Sequence, residues 1–120
     1  MKTESQEQIE LMTWCKRNMG KHPELEKIFH IPNGGKRNIQ TAMRLKLEGV
    51  KPGVPDLFLP VARRGYHGLF IEMKRIKGGS LSASQKDWKA WLAEEHFAWV
   101  RANGFEHAKK LLKGYLKITD

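Results

Sequence analysis

Two short runs decide the fold: GVPDLFLP at residues 53–60 and LFIEMK at residues 69–74. Each is apolar enough for a buried strand, yet each carries charge that such a strand tolerates only for a reason. Because strand side chains alternate between faces, Glu72 and Lys74 share one face. If the runs pair as a hairpin, Asp56 meets Glu72 at its open end. Two carboxylates and an ammonium there would suit Mg²⁺ and a phosphodiester.

Composition indicates one ordinary globular domain over residues 1–120, with 40% hydrophobic and 29% charged residues. Lys and Arg outnumber Asp and Glu by 22 to 13, which gives a net charge of +9. This excess favours a polyanionic partner, nucleic acid first. No apolar stretch is long enough for a membrane span, and the polar N-terminus lacks a signal-peptide core. We therefore expect an intracellular, cytoplasmic protein without a membrane partner.

Cysteine and histidine offer little metal chemistry. The single Cys15 excludes an intramolecular disulfide and a cysteine-based zinc site, and its place in a helical pattern favours packing. The five histidines contain no i, i+4 pair, so surface or core roles are expected for them.

Hydrophobic periodicity and turn residues predict a small mixed α/β domain, with helices flanking a central sheet. Helices are expected over 3–19, 38–48, 82–96 and 105–116, and strands over 56–59, 69–74 and 97–100. Residues 24–31 are ambiguous and include a candidate short strand at 27–31. PNGG at 32–35 predicts a turn. In the third helix, Trp88, Trp91 and Leu92 are expected to form the buried stripe.

Basic residues lie beside several of these elements and are candidates for contacts with a phosphate backbone, although solvated surfaces explain them as well. The candidates are Lys36, Arg37, Lys51, Arg63, Arg64, Arg75 and Lys77. Arg63 and Arg64 occupy the predicted hairpin tip, and Arg75 and Lys77 a basic link after the second strand.

Pro55-Asp56 followed by Glu72-Met73-Lys74 resembles the PD-(D/E)xK nuclease superfamily, and the wider pattern resembles its VRR-NUC branch, the virus-type replication-repair nucleases. The similarity covers nearly the whole chain. It includes Glu4 with Gln8, residues 32–35, residues 49–56, residues 70–74, and the Ser-x-x-Gln start at residues 82–88. The resemblance implies a restriction-endonuclease-like core, with a small central mixed β-sheet flanked by α-helices.

The same resemblance implies metal-dependent hydrolysis of DNA. Asp56, Glu72 and the Met73 carbonyl would bind Mg²⁺ or Mn²⁺, since these ions prefer hard oxygen donors. Glu4 would complete the acidic shell directly or through water. Lys74 would orient or help to deprotonate the attacking water and stabilise charge on the phosphorane.

Two assignments stay open. Glu7 is the alternative to Glu4 as the helical carboxylate, and Glu4 is favoured. Gln85 fits either the active site or a capping box with Ser82, and the site is favoured. A Gln85 side chain that reaches a metal-bound water is expected to be unable to close the cap as well.

By resemblance, the substrate is branched DNA, such as four-way (Holliday) junctions or flaps, in a phage or prophage replication-repair setting. A homodimer is expected, since a two-fold dimer presents two active sites to the two strands of a junction. Four tryptophans in a short chain suit a dimer or simply fill the core. The alternatives are a catalytically silent branched-DNA-binding module and a sequence-specific restriction-type nuclease.

Overall fold

The structure is a computed structural model that describes residues 1–33 and 38–120. Its helices are α1 (Glu4–Asn18), α2 (Ile39–Glu48), α3 (Ala83–Glu94) and α4 (Phe105–Leu116), and its strands are β1 (Phe29–His30), β2 (Leu57–Leu59), β3 (Leu69–Lys74) and β4 (Ala98–Asn103). The predicted order of elements is confirmed. The ambiguous segment divides into a 3₁₀ helix, Pro23–Lys27, and the two-residue β1.

The strands form one mixed sheet in the order β1-β2-β3-β4. β2 and β3 make the predicted antiparallel hairpin, with Leu57 opposite Ile71. β1 adds antiparallel to β2, and β4 adds parallel to β3 after the chain crosses over through α3. The hairpin therefore has its open end at Asp56 and Glu72, and its loop at the opposite end.

The two faces of the sheet carry different kinds of side chain. One face buries Leu57, Ile71 and Met73 against Leu11 and other residues of α1 and α4, which gives the main core. The other face carries Phe58 stacked on Phe70, with ring centroids 4.3 Å apart, followed by Glu72 and Lys74 near α3. The predicted alternation along β3 is thus confirmed, and the charged pair lies on the face away from the main core.

Local sequence chemistry sets the helix starts. Thr3 and Gln6 form a capping box on α1, as Ser82 and Gln85 do on α3. Asn38 caps α2, and Gly49 ends it in the left-handed conformation at φ 109°. Each cap satisfies backbone groups that a helix end would otherwise leave unpaired.

Two packing details differ from expectation or add to it. Trp91 is not part of a buried stripe: 59% of it is exposed, whereas Leu92 beside it is buried. The helical rotation that buries Leu92 turns Trp91 outward. Cys15 lies in the core, where burial raises the pKa of its thiol to about 12. Its expected packing role is confirmed.

Candidate active site

Asp56 is held from two sides at the mouth of β2. Its backbone carbonyl accepts hydrogen bonds from Ile31 N at 2.8 Å and His30 Nδ1 at 2.9 Å. Its side-chain Oδ2 accepts from Met73 N at 2.7 Å. Main chain and carboxylate are therefore both oriented before any ligand arrives. The N–H and C=O of one strand residue point to the same side, so the Met73 carbonyl also points towards Asp56.

The loop before Asp56 packs tightly on the start of α3. Gly53 has φ +86°, and a Cβ there would come within 2.5 Å of the Ser84 backbone. Only glycine permits this approach without rearrangement. The loop that delivers Asp56 is thus seated against the helix that delivers Gln85.

Glu72 is a buried carboxylate with one unpartnered oxygen. Only 2% of the residue is exposed, and its Oε1 has no hydrogen-bond partner among the residues that the structure describes. Burial raises the pKa of Glu72 to about 8. The negative charge of Asp56 and a hydrogen bond between the Asp56 and Glu72 carboxyl groups raise it as well. The Lys74 ammonium partly opposes this shift. Two carboxyl groups this close disfavour double ionisation unless a cation joins them.

Gln85 links the remaining groups. Its Nε2 donates to Glu72 Oε2 at 3.0 Å, and its Oε1 accepts from Lys74 Nζ at 3.3 Å. The same Oε1 accepts from Ser82 N at 2.9 Å, so the capping box is closed as well. The cap and the contacts with Glu72 and Lys74 coexist, because the amide uses its oxygen for the cap and its nitrogen for the carboxylate.

Ser82 and Gln85 can be separated by substitution. Ser82→Ala removes the cap bond to Gln85 N and the hydroxyl contact with Ser84, and we expect a loss of about 1 kcal/mol in unfolding free energy with nuclease activity retained. Gln85→Ala removes the reciprocal cap together with the bonds to Glu72 and Lys74, so we expect similar destabilisation and about 10- to 100-fold slower cleavage. Thermal melts and single-turnover cleavage measure the two effects. Equal activity of both variants would contradict the site role of Gln85.

The two candidate helical carboxylates have different surroundings. Glu7 is buried, and its Oε1 accepts from Phe105 N at 2.9 Å, which caps α4 where Gly104 offers no side chain. Glu4 is exposed at the start of α1, and its negative charge contributes to raising the pKa of Glu72. Glu7 Oε1 therefore joins α1 to α4, while its Oε2 is buried without a hydrogen-bond partner among the described residues. Glu4 stays the proposed helical carboxylate of the site.

Glu7→Ala tests that structural role. We expect a loss of about 2 kcal/mol in unfolding free energy, because the Phe105 N–H loses its acceptor and a buried cavity opens. Glu10→Ala is the matched control, since Glu10 lies one turn later on α1 in an ion pair with Lys2 at the surface, and should cost little. Chemical denaturation measures both. A Glu7 variant as stable as the Glu10 variant would contradict the assignment.

The residues around Asp56 and Glu72 fit a small divalent cation. The donors are carboxylate oxygens, one buried and unpartnered, with a backbone carbonyl on the same side. Across residues 1–33 and 38–120, no group of three His, Cys, Asp or Glu side chains is arranged to hold a metal. Two carboxylates with water and substrate oxygens are nevertheless the ligand set that Mg²⁺ commonly takes. The donor set therefore suits Mg²⁺ or Mn²⁺ better than Zn²⁺.

The basic candidates are spread around the molecule. Arg63 and Arg64 lie at the hairpin loop, at the far end from Asp56, where Arg63 pairs with Glu24 at 2.8 Å and Arg64 donates to the Gly114 carbonyl at 3.0 Å. Arg75 and Lys77 are exposed just after β3, beside the site. Lys51 follows α2 and is also exposed. Lys36, Arg37 and part of the predicted turn at 32–35 lie outside the described residues.

Sequence reasoning missed two neighbours of the site. His30 Nδ1 donates to the Asp56 carbonyl at 2.9 Å, and Gln8 Nε2 of α1 lies 3.1 Å from the same nitrogen. Arg101 lies opposite Glu72 where β4 pairs with β3, and its guanidinium donates to the Gly79 carbonyl at 2.7 Å. Neither has a local sequence signal, because strand pairing alone brings them to the site.

Comparisons with known proteins agree with this geometry. A family model for the VRR-NUC domain matches residues 1–106. A solved structure described as a VRR_NUC domain protein superposes with a TM-score of 0.82 at 34% identity, covering 99% of this chain and 92% of that one. The comparison with curated proteins gives no match. Fold and site together define a nuclease-type α/β domain. The chain belongs to the VRR-NUC family.

Proposed function

We propose that this VRR-NUC protein is a Mg²⁺- or Mn²⁺-dependent endonuclease that hydrolyses phosphodiester bonds in branched DNA, as a homodimer. The observation that carries the proposal is the buried Glu72 beside Asp56, with one unpartnered oxygen and a buried lysine 3.8 Å from the other. A protein that only bound DNA would have no need to bury Glu72 and Lys74 in contact beside a second acid. No helix in the described part of the chain is long and apolar enough to cross a membrane.

Each residue has a defined task in this proposal. Asp56, Glu72 and the Met73 carbonyl hold the metal, with Glu4 completing the acidic shell directly or through water. When bound, the metal lowers the pKa of a coordinated water and neutralises phosphate oxygens. Asp56 needs no reorientation, since Met73 N and the β1 contacts already fix it. Pre-ordered ligands reduce the cost of forming the reactive arrangement.

Lys74 and Gln85 act beside the carboxylates. An ammonium has three donor hydrogens, and Gln85 Oε1 takes one of them. Lys74 therefore retains donors for the attacking water and for negative charge that develops on the phosphorus oxygens. Gln85 holds both Lys74 and Glu72, which keeps the ammonium beside the carboxylate rather than in solvent.

The branched substrate rests on family resemblance, the net charge of +9 and the proposed homodimer. A two-fold pair of these small domains would direct two sites at two strands of a four-way junction. Arg75 and Lys77 are the proposed phosphate contacts near the site, and Lys36 and Arg37, which lie outside the described residues, are proposed phosphate contacts as well. Arg63 and Arg64 would contact a more distant arm. The proposed setting is cytoplasmic DNA repair or replication, in a bacterial host or encoded by a phage.

A panel of labelled four-way junction, flap and linear duplex DNA tests the proposal with Mg²⁺, with Mn²⁺ and with EDTA. We expect metal-dependent cuts at the same structural positions in branched substrates of unrelated sequence. Tight junction binding without cutting in either metal would indicate the silent binding module. Cuts that follow a base sequence in linear duplex would indicate the restriction-type nuclease instead.

A further inference from the structure

Helix α2 exposes an apolar stripe that the rest of the described chain does not cover. The stripe consists of Ile39, Met43 and Leu47, which are 78%, 60% and 87% exposed. None of the ten residues of α2 is buried. At about 100° per residue, the stripe lies on the side opposite the half-buried Thr41 and Leu45. The helix thus rests on its own domain by one side and presents its apolar side to solvent.

Helix α3 borders a groove that has the complementary features. The groove has a volume of about 670 Å³ and is lined by Lys51, Pro52, Ser84, Asp87, Trp88, Ala90, Trp91 and Glu94. Trp91, 59% exposed, forms an apolar wall, and Trp88 is fixed by its indole N–H, which donates to the Pro52 carbonyl at 3.1 Å. We call this the α3 groove.

Charge and length match between the two surfaces. The α2 stripe is flanked by Arg44 and Lys46, with Glu48 at its end, whereas the α3 groove carries Asp87, Glu94 and Lys51. The helix therefore carries two positive charges and one negative, and the groove carries two negative charges and one positive. The stripe spans about 12 Å from Ile39 to Leu47, and the groove about 15 Å from Ser84 to Glu94, at 1.5 Å per residue.

We propose that α2 of one copy lies in the α3 groove of a second copy, and reciprocally, about a two-fold axis. This rests on the homodimer of the proposed function and specifies its interface. The reciprocal arrangement uses both surfaces twice, so it covers all the exposed apolar residues of the stripe and Trp91 at once. The acidic groove suits a basic helix, whereas a phosphate backbone would meet Asp87 and Glu94.

Charge reversal tests the pairing directly. One variant carries Arg44→Glu with Lys46→Glu, and another carries Asp87→Arg with Glu94→Arg. Alone, each places like charges across both contacts, and we expect about 10- to 100-fold weaker dimerisation. Mixed in equal amounts, they form a heterodimer in which one contact is native and the other is charge-swapped, so dimerisation should return. Sedimentation equilibrium of wild type, each variant and the mixture measures this.

Apolar variants give a second test. Leu47→Glu should produce monomers, whereas Ile9→Glu, an exposed apolar site on α1 outside both surfaces, should leave the dimer intact. A monomeric wild type, or a mixture no more dimeric than its components, would overturn the interface. A Trp91→Ala variant that binds junction DNA more weakly but dimerises normally would also overturn it, since the groove would then hold DNA. All association measurements omit DNA and metal, so failure here leaves the nuclease proposal separately testable.

Discussion

Asp56→Asn and Lys74→Ala should each lower the cleavage rate of four-way junction DNA by about 10³-fold or more. Asparagine keeps the size of Asp56 but removes the charge that would hold the metal, and alanine removes the only ammonium placed beside Glu72 within the described residues. A lost metal ligand or charge-stabilising group removes several kcal/mol of transition-state stabilisation. Single-turnover cleavage with Mg²⁺ and Mn²⁺ measures the rate, and EDTA should reduce wild type to the same level.

The matched controls are Glu26→Gln and Lys27→Ala. These residues form an exposed ion pair at 3.3 Å outside the site, so the same changes in charge should leave the rate within about twofold. Circular dichroism should show all four variants folded. Mn²⁺ titration by calorimetry should show binding to Lys74→Ala and none to Asp56→Asn. Full activity in either site variant would remove the proposed mechanism.

Glu72→Gln should abolish cleavage and yet stabilise the metal-free protein at alkaline pH. The Glu72 carboxyl has a pKa of about 8 in the folded state, against an ordinary value of 4.5. Between these values the folded protein holds a proton that the unfolded chain releases. The stability from this group is therefore fully present below pH 4.5 and lost as pH rises through 8. Glutamine does not ionise, so above pH 8 we expect a gain of about 2 kcal/mol, or ~6 °C in Tm.

The pH dependence of the Tm difference distinguishes the effect of the Glu72 charge from a general packing effect. Thermal melts with EDTA at pH 5 should give nearly equal Tm for wild type and Glu72→Gln, and the difference should grow towards pH 9. Adding Mn²⁺ at pH 8 should stabilise wild type but not the variant, since only ionised Glu72 can join Asp56 as a ligand. A constant difference at all pH values would contradict the burial of an ionisable carboxyl at the site.

Part of the site could be derived from β3 and the residue before β2. Period-two alternation put Glu72 and Lys74 on one face, and the hairpin pairing put Asp56 at its open end. Ser82 and Gln85 were recognisable as a cap from their spacing alone. That Gln85 serves both the cap and Glu72 was not recognisable, because sequence spacing does not show which atoms of an amide are free after the cap has formed.

Helix surfaces were harder to assign than strands. Trp91 was expected inside because tryptophan adds to an apolar stripe, yet the rotation of α3 that buries Leu92 leaves it exposed. The choice between Glu4 and Glu7 depended on where α4 begins, far away along the chain. Contact between Glu7 and Phe105 N, 98 residues apart, gives Glu7 a structural contact that spacing along α1 does not show.

The sequence by itself determined the order of elements, the hairpin, the face of Glu72 and Lys74, and the family resemblance that the comparisons confirmed. These depend on side-chain alternation, caps and turns, which act over a few residues. Only the tertiary structure showed that Glu72 has an unpartnered oxygen, that His30 and Arg101 lie beside the site, and that the apolar stripe of α2 is exposed. Those features depend on which elements pack together and which do not, and burial is a property of the whole assembled chain.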